Sequence, residues 1–259
     1  MSLTAKTWAA ESGHWYTRDG VPAYTTIGVN GRERYTTLRD ARKLNLVPSV
    51  TTIINVMAKP GLDVWKQKQL LMAALTLTKA DGETEDDYIS RIVTDSKEQG
   101  RRAADAGTAI HASAQAFYEG KSFDPVHDKH IDACDRIITE KLGVHQWIAE
   151  RAFSHELGYG GKCDLYVPAG DGHGGMVVDI KTKEFSDGSK VEAYDEHAMQ
   201  LAAYRIGLGV PEARCANVFI SRDTPGLVVI HEWAEGDILK GWSMFLRLLE
   251  FWQIKNNHE

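Results

Sequence analysis

The sequence predicts an α/β fold, a mixed central β-sheet flanked by helices, preceded by a hairpin and helical extension of roughly 95 residues. Three observations predict it. Helical composition dominates up to residue 141, and the hydrophobic period then changes to two in WIAERAF (147–153), GKCDLYV (161–167) and MVVDIK (176–181). From residue 100 the order reads helix, helix, three strands, helix, two strands, helix. The 259 residues, 43% of them hydrophobic, supply enough apolar surface for a well-buried core.

Each element has its own local cause. His14–Thr26 (HWYTRDGVPAYTT) reads as two short strands around Asp19-Gly20, and Asn30-Gly31 marks another tight turn before Tyr35–Leu38. Leu38–Leu46 has helical composition, and Pro48 ends it. Ser49, Val50 and Thr51 cap a helix through Ile53, Ile54 and Met57, which stops at Lys59-Pro60-Gly61. Residues 62–80 read as helix, and the acidic patch Asp81–Asp87 as a solvated loop entering the next one. That helix covers about Tyr88 to Tyr118, either whole or broken near Gly100 or Gly107. A further helix fits Asp128–Lys141. The second and third strands are joined by PAGDGHGG (168–175), a glycine-rich reversal. Val191–Leu208 is a helix, Ala216–Ser221 and Val228–Trp233 are strands, and Gly236–Lys255 is an amphipathic C-terminal helix. The expected division is an extension over residues 1–95, suited to DNA binding, and a core over 96–259.

Composition narrows the function classes. No run approaches the roughly 18 apolar residues of a membrane span, and residues 1–15 lack a signal peptide's apolar stretch, so a soluble, cytoplasmic setting without membrane contact is expected. Cys134, Cys163 and Cys215 are odd in number, scattered and without a CxxC pair, which argues against a disulfide framework, a zinc knuckle or a cysteine-ligated iron–sulfur cluster. The net charge of −6 hides an asymmetry: residues 1–68 hold ten Lys/Arg against five Asp/Glu, a net of +5, and the remainder carries −11. Local charge steers phosphates, whereas net charge mainly sets solubility. Nucleic acid therefore fits, with the N-terminal part as its docking surface.

The chemistry begins at Gly161-Lys162-Cys163-Asp164, followed fifteen residues after Asp164 by Asp179-Ile180-Lys181. Residues two apart in a strand share a face, so Asp179 and Lys181 project together. If the PAGDGHGG turn pairs the two strands, Asp164 approaches Asp179. Two converging carboxylates repel unless they are protonated or hold a cation. Hard oxygen ligands favour Mg²⁺ or Mn²⁺, completed by waters and substrate phosphate. A lysine beside that metal orients a water or neutralises charge on a pentavalent phosphate. An isolated Asp-x-Lys is more often a surface salt bridge. Asp179, however, follows the apolar run Met176-Val177-Val178, where an unpaired acid is costly, and Gly161 permits close backbone approach. Gln200 and Tyr204, four apart on one helix face, can reach a phosphate or a water, although each also suits an ordinary helix surface. His111, in Gly107-Thr108-Ala109-Ile110-His111-Ala112, sits among small residues that let a helix pack tightly on a sheet, with the imidazole at its edge as a nitrogen ligand or a structural side chain. Glu150, and more weakly Glu156, compete for the same place.

In this order, Gly107-x-x-x-His111, Glu150, Gly161-x-x-Asp164, Asp179-x-Lys181 and Gln200-x-x-x-Tyr204 resemble the PD-(D/E)xK nuclease superfamily. Within it the match is to the RecB-like exonuclease branch, which includes the CRISPR-associated adaptation nucleases and the mitochondrial genome maintenance exonuclease. Leu46-Val47-Pro48-Ser49-Val50-Thr51-Thr52-Ile53, then Lys59-Pro60-Gly61-Leu62 and Trp65, looks like phage-encoded members of that branch. The resemblance implies a restriction-endonuclease-like sheet. It makes His111, Asp164, Asp179 and the Ile180 carbonyl metal ligands, Lys181 the catalytic lysine, Gln200 and Tyr204 the helix motif that organises site and substrate, and Glu150 the less secure acidic position. Two departures stand out. Gly161-Lys162-Cys163-Asp164 replaces the frequent Pro-Asp, as in the RecB branch, and the four cysteines with which several relatives hold an iron–sulfur cluster are not present, so no cluster is expected.

The resemblance thus implies metal-dependent DNA exonuclease activity with one or two Mg²⁺ or Mn²⁺ ions, in-line attack and 5′-phosphate products. Gripping linear ends or single strands would fall to the basic first 68 residues, with Trp65 and Lys66 among them, to Ser49, Thr51 and Thr52 at a helix start, and to Arg101 and Arg102. The same aromatics are as readily core and the charges a solvated face. A structure-selective or sequence-specific endonuclease on the same fold, and a nucleic-acid-binding module without chemistry, are the competing readings. Phage-type recombination, replication or repair beside a single-strand annealing protein, in a bacterial host's cytoplasm, is implied by analogy alone.

Overall fold

In the computed structural model, which describes residues 13–170 and 172–258, the sheet begins where the hydrophobic period changes. The reading of residues 1–12 and of Asp171 in the glycine-rich reversal lies outside the described residues. In chain order the elements are β1 (Trp15–Tyr16), β2 (Thr25–Ile27), β3 (Glu33–Tyr35), α1 (Leu38–Leu44), β4 (Val47–Pro48), α2 (Val50–Ile54), α3 (Pro60–Thr76) and α4 (Glu85–Tyr118). Then come α5 (Asp128–Leu142), β5 (Ile148–His155), β6 (Tyr159–Val167), β7 (Met176–Lys183), α6 (Asp195–Gly207), β8 (Arg214–Ser221), β9 (Val228–Glu232) and α7 (Glu235–Asn256).

The protein is a mixed α/β fold whose central sheet has the order β5-β6-β7-β8-β9. Only β7 and β8 run parallel; the other neighbours are antiparallel. A parallel step needs a crossover, and α6 lies within it. Because β7 is covered on both sides, its apolar run is continuous rather than alternating. Val178 and Ile180 pack with Ile110 of α4 and Ile131 and Ile138 of α5. Val177 points the other way, into a layer with Met199 and Ala202 of α6 and Phe245 of α7. Trp15, Ala41, Leu46, Val50 and Ile53 join that second layer, so the N-terminal elements as far as α2 share the core.

Several local expectations change. Trp15 and Tyr16 are buried; β1 bridges antiparallel to Pro22 across the Asp19-Gly20 turn, as expected, but its ladder partner is β4 rather than β2. A buried strand takes its partner from the core, whereas the exposed β2 and β3 form the hairpin around Asn30-Gly31. The helix expected to reach Met57 ends at Ile54, and Pro60 opens α3 because proline fits the first helical position. The acidic patch is partly helix: Thr84 caps α4 by accepting from the Asp87 N–H, and Glu85, Asp86 and Asp87 suit the positive end of the helix. Neither glycine breaks α4, a single helix of 34 residues that runs through residue 95. A Cβ at Gly107 would collide with the Thr182 hydroxyl oxygen, and one at Gly100 would lie 3.5 Å from the Trp65 ring, so both glycines serve close packing.

Candidate active site

β7 carries Asp179 and Lys181 on the face turned to α6, as the period of two requires. There the polar groups hold one another in place. Lys181 Nζ donates to Asp179 Oδ1 at 2.9 Å and to Gln200 Oε1 at 3.1 Å. Gln200 Nε2 donates to Asp179 Oδ1 at 2.8 Å and to the Tyr204 hydroxyl at 2.9 Å. Asn217 Nδ2, from β8, donates to Asp179 Oδ2 at 2.7 Å, and Trp233 Nε1 fixes that amide by donating to Asn217 Oδ1 at 2.8 Å. Gly161 makes room for this packing, since a Cβ there would meet Tyr204 and Phe153 ring carbons at 2.8 Å. Asp179 is 1% exposed; burial and the neighbouring Asp164 charge push its carboxyl up to about 6 against the pull of Lys181. Burial alone would depress Lys181, but the Asp179 and Asp164 charges hold its ammonium above the ordinary range.

Asp164 stands at a fork in the sheet. The β6–β7 ladder ends at Leu165↔Val178, one step before Asp164 would pair with Asp179. On its other side the β5–β6 ladder skips the same step, pairing Ala149 with Leu165 and Arg151 with Cys163. The residue left opposite Asp164 is Glu150, whose φ of 54° is left-handed, a rare conformation for a side chain of its size. Freed from the ladder, Asp164 Oδ2 accepts from the Ile180 N–H at 2.6 Å and lies 3.0 Å from His111 Nε2 of α4. One ligand atom each from His111, Glu150 and Asp164 lies within 4.8 Å of the others. Lys162 Nζ forms an ion pair with Glu150 Oε2. Burial opposes the charge on Asp164, but the His111 hydrogen bond and charge, together with Lys181, hold its carboxyl below the usual range. Burial likewise works against protonated His111, and the facing Asp164 outweighs it.

The structure therefore brings together His111, Glu150, Asp164, Asp179, Ile180, Lys181, Gln200 and Tyr204. Two carboxylate oxygens and one imidazole nitrogen are a donor set that can hold a divalent metal ion and leaves coordination positions for water. Asp179 is not in that closest trio: three protein donors occupy its two oxygens. The Cys163 thiol, next to Asp164 in sequence, turns into the core and donates to the Leu165 carbonyl. Glu156 lies in the β5–β6 turn, beyond the last residue of β5 and six positions from Glu150.

Among the described residues, no hydrogen bond or ion pair joins the seven DNA-contact candidates to this cluster. Ser49 is 2% exposed, and its hydroxyl caps α2 by accepting from the Thr52 N–H at 3.0 Å while meeting the Thr51 and Thr52 hydroxyls. Trp65 is half-buried against Gly100, and Lys66 is exposed. Arg101 and Arg102 are exposed on α4, Arg102 3.7 Å from Glu98. Asn217 was not among the candidates, though a lone amide inside Cys215-Ala216-Asn217-Val218-Phe219 is the kind of buried polar residue that needs a partner. Arg222 and Thr182, which line the cleft beside His111, carry no comparable sequence signal.

No family model matches the chain, and no curated protein matches it significantly. Solved structures that it resembles include a Eubacterium rectale protein named "Putative exonuclease", at 13% identity over 60% of this chain and 69% of that one, with a TM-score of 0.42. They also include SSO0001, at 15% identity over 72% of this chain and 86% of that one, with a TM-score of 0.31. Both likenesses are remote, so the chemistry has to be read from the site itself.

Proposed function

We propose that the protein is a divalent-metal-dependent deoxyribonuclease acting as an exonuclease. The observation that carries this reading is the convergence of His111, Glu150 and Asp164 on one point, directly beside the Asp179–Lys181–Gln200 network. His111, Asp164 and Glu150 would hold Mg²⁺ or Mn²⁺, with Asp179 joining through Oδ2, which accepts only one protein hydrogen bond. When bound, such an ion supplies Lewis-acid polarisation of the phosphate and a lowered pKa for water.

The chain's own residues do the rest. Lys181 places a fixed positive charge where the transition state gains negative charge. Its ammonium has three hydrogens, and Asp179 and Gln200 take two, which leaves one for a phosphate oxygen or the attacking water. Gln200 and Tyr204 lock the lysine's direction, and the Ile180 N–H holds Asp164 toward His111. Arg101, Arg102, Trp65 and Lys66 would supply charge and stacking for the strand, with 5′-phosphate products and a recombination or repair setting following from the family resemblance.

The test is degradation of end-labelled linear DNA, with circular controls, in Mg²⁺, Mn²⁺ and EDTA, beside Asp179→Ala. Loss of linear DNA only, abolished by EDTA and by the variant, supports the exonuclease. Cutting of circles moves the reading to an endonuclease. DNA bound but never cut in any metal leaves a binding module and overturns the catalytic reading.

A further inference from the structure

The cleft beside His111 extends between α4 and the ends of β7 and β8, with a volume of about 420 Å³. His111 and Lys181 line it together with Thr108, Thr182 and Arg222. Gly107 sets its depth: without a side chain there, α4 lies against Thr182, and the Arg222 Cδ sits 3.8 Å from where a Cβ would be. Arg222 follows β8 directly, and its backbone N–H donates to the Lys183 carbonyl at 2.9 Å, which pins the main chain. Arg222 is half-buried, and its guanidinium makes no hydrogen bond or ion pair with any described residue. The adjacent Asp223 does not neutralise it by contact, because that carboxylate accepts from the Phe185 N–H at 3.0 Å and the Ser221 hydroxyl at 2.9 Å.

The cleft thus holds an unspent fork of donors one step from the reactive cluster. Lys181 is already engaged by Asp179 and Gln200. The Thr108 hydroxyl is also used, donating to the Ala104 carbonyl at 3.0 Å, but the Thr182 hydroxyl donates to no described acceptor. A guanidinium out of contact with any carboxylate, beside a free hydroxyl, matches a phosphate by charge and by bidentate geometry. Arg101 lies on the same face of α4 as Ala104, Thr108 and His111, by the spacing i, i+3, i+7, i+10, and continues the positive track outward.

We infer that this cleft is a backbone-phosphate subsite, in which Arg222 and the Thr182 hydroxyl bind the phosphodiester next to the one being cut. The inference rests on the nuclease reading for what is cut, but the subsite itself is a binding claim. It separates a nucleic-acid strand, which has a neighbouring phosphate, from a mononucleotide ester, which has none.

The test is equilibrium binding of a labelled single-stranded oligonucleotide in EDTA, where no hydrolysis runs, over a salt series for wild type, Arg222→Ala and Arg222→Lys. Arg222→Ala should bind about tenfold more weakly, and its salt slope should shrink by about 0.7, one phosphate's worth. Arg222→Lys should keep the slope and recover only part of the affinity. A set of strands with one neutral methylphosphonate moved along the chain should show one position that weakens wild type and no longer affects Arg222→Ala. An unchanged slope in Arg222→Ala, or a neutral linkage that weakens both proteins alike, overturns the subsite. Cleavage by wild type is scored separately. Activity with an unchanged slope removes the subsite alone, and a changed slope with no cleavage in any metal keeps the subsite while removing the nuclease reading.

Discussion

Asp179 and Asp164 stand on neighbouring strands of one sheet, close enough for their charges to act on each other, yet they keep different company. On the α6 side, Asp179 is surrounded by Lys181, Gln200 and Asn217, and burial still raises its carboxyl to about 6. On the α4 side, Asp164 meets one backbone N–H and one imidazole, and His111 keeps its carboxyl low despite burial. The first cluster is closed: each member holds another in place, and its geometry is set before any ligand arrives. The second is open, with His111, Glu150 and Asp164 ligand atoms aimed at a shared point and a cleft in front. In the proposed reaction the first cluster would supply a pre-organised charge and the second the ligand atoms for the ion.

The sharpest way to break this comparison is to remove the closed side's charge. Lys181→Ala should lower the turnover of DNA hydrolysis by about 10³-fold, and a loss below tenfold would show that the closed cluster is scaffold. The open side is probed by metal. At 100-fold excess over its Kd, Mn²⁺ should stabilise wild type by about 2.7 kcal/mol, or about 5–10 °C in melting temperature. Most of that shift should vanish in His111→Ala and persist in Asn217→Ala. Equal shifts in all three would place the ion elsewhere.

A smaller effect separates the two sides by stability. Asn217→Ala strands Asp179 Oδ2 and Trp233 Nε1, both inside the closed cluster, and should cost about 1–3 kcal/mol. Denaturant midpoints should fall with an unchanged m-value; a variant as stable as wild type would mean that the amide is dispensable. The smallest effect is protonic. Burial holds folded His197, on the closed side, down to about 3, whereas the unfolded chain takes up a proton near 6.5. Folding expels that proton between these values, so the contribution is complete above 6.5 and lost as pH falls toward 3. The stability advantage of wild type over His197→Gln should shrink by roughly 1 kcal/mol from pH 6.5 to 5.5. A constant advantage across that range would refute the assignment.

The closed side was legible in the sequence, because strand and helix periods alone place Asp179 with Lys181 and Gln200 with Tyr204. Its third donor, Asn217, lies 38 residues away on a strand whose parallel pairing with β7 no local signal fixes. The open side was legible as residue types but not as geometry. That Asp164 leaves both ladders at one step, opposite a left-handed Glu150, depends on how three strands diverge. Gly100 and Gly107 left open whether α4 is whole or broken, and packing decides for one helix, because both glycines let Trp65 and Thr182 approach it. Trp15 and Tyr16 carried a strand signal, but which strand they join was decided by burial.

Glu150 carries a last consequence. Its left-handed backbone, φ 54°, is one that glycine adopts freely and glutamate adopts at a cost of roughly 1–3 kcal/mol. Selection for durability alone would favour glycine at this position and would remove a carboxylate from the open cluster. Thermal selection applied to this chain would therefore act against the cluster at residue 150, gaining heat tolerance as it loses the carboxylate beside His111 and Asp164.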